Sequence, residues 1–313
     1  MIGWLAVGTL LASCQSGSVT PSTTESTRPI EHAMGTTEIP VSPQRVVVLD
    51  TAPLDTTLAL GITPVGTAVY GQPPKYLGDR VKEIEIIGDA NQPNLETILS
   101  LKPDLILGSK IGAEEQYSQL SQIAPTVLTE DSGRAGDSWQ TNLRLYGEAL
   151  GRAEQAEQLL QDYRQRVQQL QTKVDQPQAL TISVLIVAKD VVRGYAAGSF
   201  SGAILQDIGF SRPPVQNNDQ EYALQLSPEA LDTLDGDYIF LIYSTYRPRR
   251  LSKAEFVSDP IWSQLNAVKQ DRVCQVNSEV WIAGRSVLAA NQILTEIEAC
   301  FESGEVEPSK RVE

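Results

Sequence analysis

The stretch LETILSLKPDLILGSK, residues 95–110, has the pattern of a helix that ends at a proline and leads directly into a buried strand. A related stretch, PEALDTLDGDYIFLIY, covers residues 228–243. When the two are superposed, Glu96 falls on Glu229 and the apolar positions coincide. The chain therefore contains one helix-to-strand unit twice, as an ancient duplication would leave it.

Strand-like runs alternate with helical stretches both before and after the middle of the chain. This alternation predicts an α/β protein with two lobes, and a cleft between two such lobes is a natural ligand site. The predicted strands are 45–49, 63–68, 85–87, 104–107, 126–128, 181–188, 237–242 and 273–276, and the predicted helices of the second lobe are 201–209, 260–265 and 285–301.

The two lobes are separated by the most regular segment of the chain. Apolar or aromatic residues recur every three or four positions from Trp139 to Val174, which predicts one helix of about ten turns, roughly 50 Å long. Asp137 or Ser138 can cap its start. A coiled-coil partner is the alternative, but Gly147 and Gly151 favour close packing within the same molecule.

The charge balance limits the possible partners. The 313 residues carry a formal charge of −14, with a pI near 4.6. Nucleic acids and anionic membrane surfaces select for cationic proteins, so neither is expected as the main partner. An acidic surface instead suits docking onto a basic one.

The amino terminus, MIGWLAVGTLLASC, has the length of a signal-peptide core and ends in small residues before Cys14. It resembles a bacterial lipobox, in which that cysteine carries the lipid; an ordinary signal peptide is the alternative. Residues 15–42 are rich in Ser, Thr and Pro, and we expect them to form a flexible tether.

The remaining cysteines and the single histidine show no metal-ligand spacing. We expect Cys274 and Cys300 to be buried free thiols, with a disulfide between them as the alternative. His32 falls in the predicted tether. The sequence therefore predicts neither a metal site nor a histidine base.

Five stretches resemble the substrate-binding proteins of ABC importers for iron–siderophores and cobalamin, and most closely the iron(III)-siderophore and iron(III)-dicitrate branch. They are PQRVVVLD (43–50), QPNLETILSLKPDLIL (92–107), IAPTV (123–127), SPEALDTLDGDYIFL (227–241) and VWIAGRSVLAANQILTEI (280–297). The resemblance covers essentially everything after the tether.

This resemblance implies two Rossmann-like lobes joined by one rigid α-helix, with limited hinge motion. It also implies a monomer that captures a metal chelate and passes it to an ABC permease dimer with its ATPase subunits. The protein would be lipid-anchored on the periplasmic side of the bacterial cytoplasmic membrane, or on the outer cell face without an outer membrane. The expected divisions are a signal peptide (1–14), the tether (15–42), the N-terminal lobe (43–137), the connecting helix (138–175), the C-terminal lobe (176–301) and a tail (302–313).

Most candidate ligand-binding residues follow predicted strands, because ligands of open α/β sheets bind outside the carboxyl ends of strands, and Trp281 and Arg285 precede the last predicted helix. Arginine suits carboxylate groups, since its planar donor fork matches them. For each residue the alternative is an exposed side chain or a local salt bridge, and for Trp281 a place in the core. The candidates are Tyr70, Lys110, Arg193, Tyr195, Tyr243, Tyr246, Arg247, Trp281 and Arg285.

Two other functions compete with binding of a ferric siderophore or ferric citrate. An enzyme is suggested by Gly194, Gly198 and Gly202, but these do not form G-x-G-x-x-G, and Ser199 or Ser201 as a helix cap explains the segment. A binder of cobalamin, haem or bare iron is the other alternative, with tyrosines as possible ferric ligands. We expect no enzyme and no cofactor beyond the chelate.

The paired glutamates lie at matching positions. Asn94 and Ser227 can each cap a helix, which places Glu96 and Glu229 at the second helical position. Stabilisation of the helix dipole is a sufficient local explanation. In the family that the chain resembles, glutamates at this place dock into arginine pockets of the permease, and we expect the same here.

Overall fold

A computed structural model describes residues 26–130, 139–188, 191–243 and 253–303. Several predictions concern residues outside these ranges: the signal peptide with Cys14, the cap at Asp137 or Ser138, and the candidates Tyr246 and Arg247. The predicted tail also lies outside them, apart from its first two residues. Within the described residues, no helix is both long and apolar enough to cross a bilayer.

An antiparallel hairpin precedes the first lobe and contradicts part of the predicted tether. Its strands are β1 (Thr27–His32) and β2 (Gly35–Pro40), and they bury Ile30 and Ile39 completely or nearly so. The Ala33 amide donates to the carbonyl of Leu128 at 2.9 Å, which attaches the hairpin to the lobe. The expectation of a tether is therefore wrong for residues 27–40.

The first lobe is built on a six-stranded sheet in the order β6-β5-β4-β3-β7-β8, in which only the short β6 runs antiparallel to its neighbour. Its strands are β3 (Val46–Val48), β4 (Gly66–Val69), β5 (Glu85–Asp89), β6 (Gln92–Pro93), β7 (Leu105–Ser109) and β8 (Thr126–Thr129). Its helices are α1 (Thr51–Ala59), a 3-10 helix (Lys75–Val81), α2 (Leu95–Ser100), α3 (Lys110–Ala113) and α4 (Tyr117–Ile123).

The connection between the lobes is helical but interrupted. It consists of α5 (Trp139–Ala149) and α6 (Ala153–Lys173). Gly151 separates them with φ +67°, a left-handed conformation that glycine adopts without steric cost. A Cβ on Gly147 would lie 2.6 Å from that of Ala156, so the two helices pack closely at the break. The prediction of one uninterrupted helix is therefore corrected.

The second lobe is built on a five-stranded mixed sheet in the order β11-β10-β9-β12-β13, of which β9, β12 and β13 are parallel. Its strands are β9 (Ile182–Ala188), β10 (Val191–Tyr195), β11 (Ala223–Leu226), β12 (Tyr238–Tyr243) and β13 (Val273–Asn277). Its α-helices are α7 (Phe200–Ile208), α8 (Lys253–Ser258), α9 (Asn266–Lys269), α10 (Ser278–Trp281) and α11 (Val287–Ser303). Short 3-10 helices lie at Pro177–Ala179, Pro214–Gln216, Pro228–Leu234 and Trp262–Gln264.

The repeated unit performs the same structural task in both lobes. The Asp104 carboxylate accepts the backbone N–H groups of Gln44 and Arg45 at 2.7 and 2.9 Å, just before β3. Asp237 accepts the N–H of Thr181 at 2.8 Å, just before β9. Asp104 lies directly before β7, which pairs with β3. Asp237 lies directly before β12, which pairs with β9. Each aspartate therefore joins the starts of two neighbouring strands. The duplication inferred from sequence is thus matched by duplicated hydrogen bonds.

One hydrophobic cluster extends through both lobes and gives them a shared core. It contains Val48 of the first sheet, Val184 of the second, Tyr163 of α6 and Ile293 of α11. Helices α6 and α11 therefore join the two sheets by burial of apolar surface, which is the main favourable contribution to packing.

Cys274 and Cys300 form a disulfide, with their Cα atoms 6.0 Å apart. Both residues are buried, with at most 1% of either exposed. The expectation of free thiols is therefore wrong. The bond ties the edge strand β13 to α11.

Candidate ligand-binding cleft

The carboxyl ends of the first sheet carry a row of polar side chains. Asp50 follows β3, Tyr70 follows β4, Lys110 follows β7 and Glu130 follows β8. Parallel strands bring these ends to one edge of the sheet. The row therefore runs across neighbouring strands, as the sequence predicts for Tyr70 and Lys110.

The second sheet presents its own polar edge. Tyr243 is the last residue of β12, and Asn277 the last of β13. The Asn277 side chain caps α10 by accepting the N–H of Glu279 at 2.9 Å. Arg285 lies in the short loop between α10 and α11.

Two polar contacts show that these edges face each other. The Arg285 guanidinium of the second lobe lies 3.4 Å from the Asp50 carboxylate of the first. The Glu279 carboxylate accepts the backbone N–H of Lys75 at 2.8 Å. Polar side chains of both lobes thus meet where the two edges face each other, with the Arg285 cation at the meeting point, and we take this place as the candidate cleft.

Arg285 is held in an unusual conformation. Its φ is +46°, in the left-handed region that non-glycine residues rarely adopt. Its side chain is 14% exposed. Asp50 is itself fixed, because it also accepts the Ser109 hydroxyl and the Ala52 N–H, both at 2.8 Å. A guanidinium carries five N–H donors in a planar fork, a geometry that suits carboxylate groups.

Lys110 supplies a second cation on the first lobe. Its Nζ lies 3.5 Å from Glu130 and 4.0 Å from Glu114, and its side chain is 31% exposed. Exposed pairs at such distances are weak, typically about 0–1 kcal/mol, so a ligand anion can compete for the ammonium.

The tyrosines of the two edges offer aromatic surface and hydroxyl groups. Tyr70 and Tyr243 are both half-buried. Burial, together with the negative charges of Glu279 and Glu296, raises the pKa of the Tyr243 phenol. Tyr243 therefore stays protonated and can act as a hydrogen-bond donor at neutral pH.

Three predicted residues lie elsewhere than the sequence suggests. Arg193 and Tyr195 follow β9, as predicted, but they lie within a further strand, β10. The side chain of Arg193 is exposed, whereas Tyr195 is buried edge-on against Tyr222. Trp281 is wholly buried, stacks on Phe240 and donates its indole N–H to Glu296 at 2.5 Å. Tyr195 and Trp281 are therefore core residues, not cleft surface.

Sequence reasoning missed the polar residues that join the lobes beside the cleft, namely Asp55, Tyr76, Glu279 and Ser286. The one available signal is Asp55, a lone charge in TAPLDTTLA, the sequence of α1. A charged residue in a helix that is otherwise apolar and threonine-rich indicates a buried partner, because an unpaired buried charge is costly.

The two glutamates of the repeated unit are partly described. Asn94 caps α2 by accepting the N–H groups of Glu96 and Thr97 at 3.0 and 3.1 Å, as expected. Glu96 is exposed at the second helical position. Glu229 is the second residue of the 3-10 helix, and the Ser227 side chain makes no capping hydrogen bond there, which corrects that part of the prediction. The structure does not describe the side chain of Glu229.

The described ranges contain no group of three or more His, Cys, Asp or Glu residues that could hold a metal ion. The single histidine, His32, lies in the hairpin, where its Nε2 is 2.8 Å from the Thr37 hydroxyl. The prediction that His32 lies in a flexible tether is therefore wrong.

The amino-acid sequence matches the periplasmic binding protein family over residues 46–280, and the chain belongs to this family. It is 36% identical to a protein named "Probable siderophore-binding lipoprotein YfiY" from Bacillus subtilis, over 92% of both chains. It is 33% identical to the achromobactin-binding periplasmic protein of Dickeya dadantii, over 82% of this chain and 85% of that one. The crystal structure of Staphylococcus aureus SirA with staphyloferrin B superposes with a TM-score of 0.75 at 33% identity, over 88% of this chain and 97% of SirA.

Proposed function

We propose that this protein is the substrate-binding component of an ABC importer, and that it captures an intact ferric siderophore or ferric citrate-type chelate. The supporting observation is the pair of cations, Lys110 and Arg285, at facing polar edges of the two lobes. The family membership and the names of the relatives agree with this function.

The chemistry of the cleft suits an anionic chelate. Charge-assisted hydrogen bonds from Arg and Lys to carboxylates are the strong ones, and Tyr70 and Tyr243 add aromatic contact and hydroxyl groups. Arg193 is an exposed further cation on β10. In this account the chelator's own oxygens keep the iron, and the protein binds the outer carboxylates.

We further propose that the protein is lipid-anchored through Cys14 on the outer side of the cytoplasmic membrane. The relatives include a named lipoprotein and a named periplasmic protein. Glu96 and Glu229 would dock into basic pockets of the two permease halves, and the acidic charge of −14 suits a basic partner.

Titration with a panel of chelates tests this function. Trp281 lies in the segment that leads to Arg285, so tryptophan fluorescence can report ligand binding. We expect saturable quenching by ferric citrate or another anionic ferric chelate, and none by cobalamin. Saturation by cobalamin alone, or by no member of the panel, would contradict the proposal.

A further inference from the structure

The carboxylate of Asp55 belongs to the first lobe but caps a helix of the second. Asp55 lies in α1 and is completely buried. Its two oxygens accept the backbone N–H groups of Leu288 and Ala289, both at 2.9 Å, in the first turn of α11. The first N–H groups of a helix have no partner within it, and an acceptor from elsewhere can satisfy them.

Further contacts surround this cap. The Tyr76 hydroxyl donates to Asp55 at 2.8 Å, and the Thr56 and Ser286 hydroxyls lie 2.7 Å apart. Together with the contact of Glu279 to the Lys75 amide, these bonds fix α10, the following loop and the start of α11 to the first lobe. Arg285 lies in that loop, directly before Ser286.

We infer that Asp55 is a positioning residue, which sets the place of Arg285 in the cleft by holding the start of α11 from the opposite lobe. The inference rests on the proposed role of Arg285 in chelate binding. Asp55 itself does not touch the ligand, because it is completely buried. Its effect reaches the ligand through the backbone of Ser286 and Val287, the two residues between Arg285 and the capped N–H of Leu288.

The left-handed conformation of Arg285 supports this inference. A non-glycine residue with φ +46° persists only where its surroundings hold it there. The Asp50 carboxylate holds the guanidinium at one end, and the Asp55 cap holds the backbone at the other. Without the cap, we expect Arg285 to relax to a more common conformation and to leave its place beside Asp50.

The charge of Asp55 matters to this cap. Burial raises the pKa of Asp55 to about 6, although its hydrogen bonds to Leu288, Tyr76, Ala289 and Ser286 oppose the rise. Within the part of the chain that the structure describes, the titratable or charged groups around the capping site are Tyr76 on the 3-10 helix, Glu279 on α10 and Arg285 itself, with Asp50 beyond Arg285. At neutral pH the carboxylate is ionised and accepts all of these donors, and below about pH 6 it takes up a proton.

A double-mutant cycle tests the inference, with ferric citrate or the best-binding chelate of the panel as the probe. We expect Arg285→Ala and Asp55→Asn each to weaken binding by about ten-fold or more. In the Arg285→Ala background, Asp55→Asn should weaken binding by less than about two-fold, because it acts through Arg285. Lys173→Ala is the control: it removes a contact of α11 far from its start, the pair of Lys173 with Glu298 at 3.1 Å, and should change affinity by less than about two-fold.

The outcomes separate this inference from the proposed function. Unchanged binding by Arg285→Ala would remove the arginine contact of the proposed function. Arg285→Ala could lose affinity as expected while Asp55→Asn weakens binding equally in the wild type and in the Arg285→Ala variant. That result would overturn the positioning role of Asp55 and leave the proposed function intact. If Asp55→Asn does not fold, chelate affinity is compared between wild type and Arg285→Ala at pH 7 and at pH 5. The affinity advantage of the wild type should shrink at pH 5, because Asp55 is then protonated and holds the start of α11 less well. An advantage that stays constant would overturn the inference.

Discussion

Arg285 and Asp50 form an ion pair across the cleft, with a nitrogen–oxygen distance of 3.4 Å and both side chains largely buried. Each belongs to a different lobe, and Asp50 is tied to Ser109 and Ala52 in its own lobe. The cation proposed to meet the ligand is therefore positioned by both lobes together. A ligand carboxylate at this place would share the guanidinium with Asp50.

The first prediction concerns the cleft arginine. Arg285→Ala should weaken ferric chelate binding by about ten-fold or more, because a charged hydrogen bond contributes about 1.5–3 kcal/mol. Isothermal titration calorimetry measures the change. Arg272→Ala is the matched control, since Arg272 precedes β13 at its amino end and lies over the Tyr238 ring. Equal affinity of Arg285→Ala and the control would contradict the arginine contact.

The second prediction concerns the paired glutamates. Exchange of Glu96 and Glu229 for alanine should leave chelate affinity nearly unchanged and should abolish uptake through the cognate permease. Uptake of radioactive iron at limiting protein measures the second effect. Glu154→Ala is the matched control, because Glu154 is an exposed acid in the first turn of α6 and makes the same type of helix-dipole interaction. Normal uptake by the double variant would exclude docking, and a large loss of chelate affinity would place the glutamates in the binding site.

The third prediction concerns the anchor. Cys14→Ala should release the protein from the membrane fraction, because lipid on this cysteine is the proposed attachment. The soluble product should bind chelate with the affinity of the anchored protein. Fractionation of cells that express each form is the measurement. A Cys14→Ala protein that stays with the membranes after signal removal would show that attachment does not depend on this residue.

The fourth prediction concerns His32, the single histidine of the chain. Its Nδ1 is within 3.3 Å of the N–H groups of Met34 and Leu128, so a neutral ring accepts these bonds. Burial lowers the pKa of His32 below its ordinary value of 6.5. Because the folded-state pKa is depressed, His32 contributes stability above pH 6.5 that is lost as pH falls through the folded-state pKa.

Nuclear magnetic resonance can follow the His32 ring directly, since no other histidine contributes signals. The ring should titrate below 6.5, and the amide of Leu128 should exchange faster with solvent as the ring takes up its second proton. A ring that titrates at 6.5 or above would show that the hairpin does not bury it as described.

Much of the fold was predictable, because local signals and the long-range structure agree. The repeated unit identified β7 and β12 together with the helical segments before them, although the second segment is a 3-10 helix. Asp104 and Asp237 coincide in the superposed repeats, and each holds the backbone directly before a neighbouring strand. A pattern that recurs in two lobes carries more information than either copy alone.

The failures have physical causes. The hairpin buries the apolar side chains of Ile30 and Ile39, but these two lie in a stretch whose composition is typical of a tether. The break at Gly151 was hidden because Leu150 and Ala153 keep the helical spacing across it. The disulfide and the cap at Asp55 join residues far apart in sequence, and spacing does not reveal such contacts.

The candidate site was predictable only in part. Its predicted location at the carboxyl ends of strands follows from the α/β alternation, which explains why Lys110 and Tyr243 were chosen as candidates. Arg285 was chosen because it precedes the last helix, and the ligand-binding role of all three residues stays a prediction. Tyr195 and Trp281 are buried because they pack against Tyr222 and Phe240. These contacts join residues far apart in the sequence, so position along the chain does not predict them. The same limit applies to Asp55, whose partners lie in the other lobe.

The central claim is that the protein binds an intact ferric chelate, and native mass spectrometry tests it most directly. The purified protein is incubated with ferric citrate, or with the chelate that quenches its fluorescence best, and sprayed from volatile buffer. The account predicts a bound species whose added mass equals iron plus chelator, at a lower population in Arg285→Ala. A species that carries iron without chelator would contradict the claim, as would chelator bound equally well without iron.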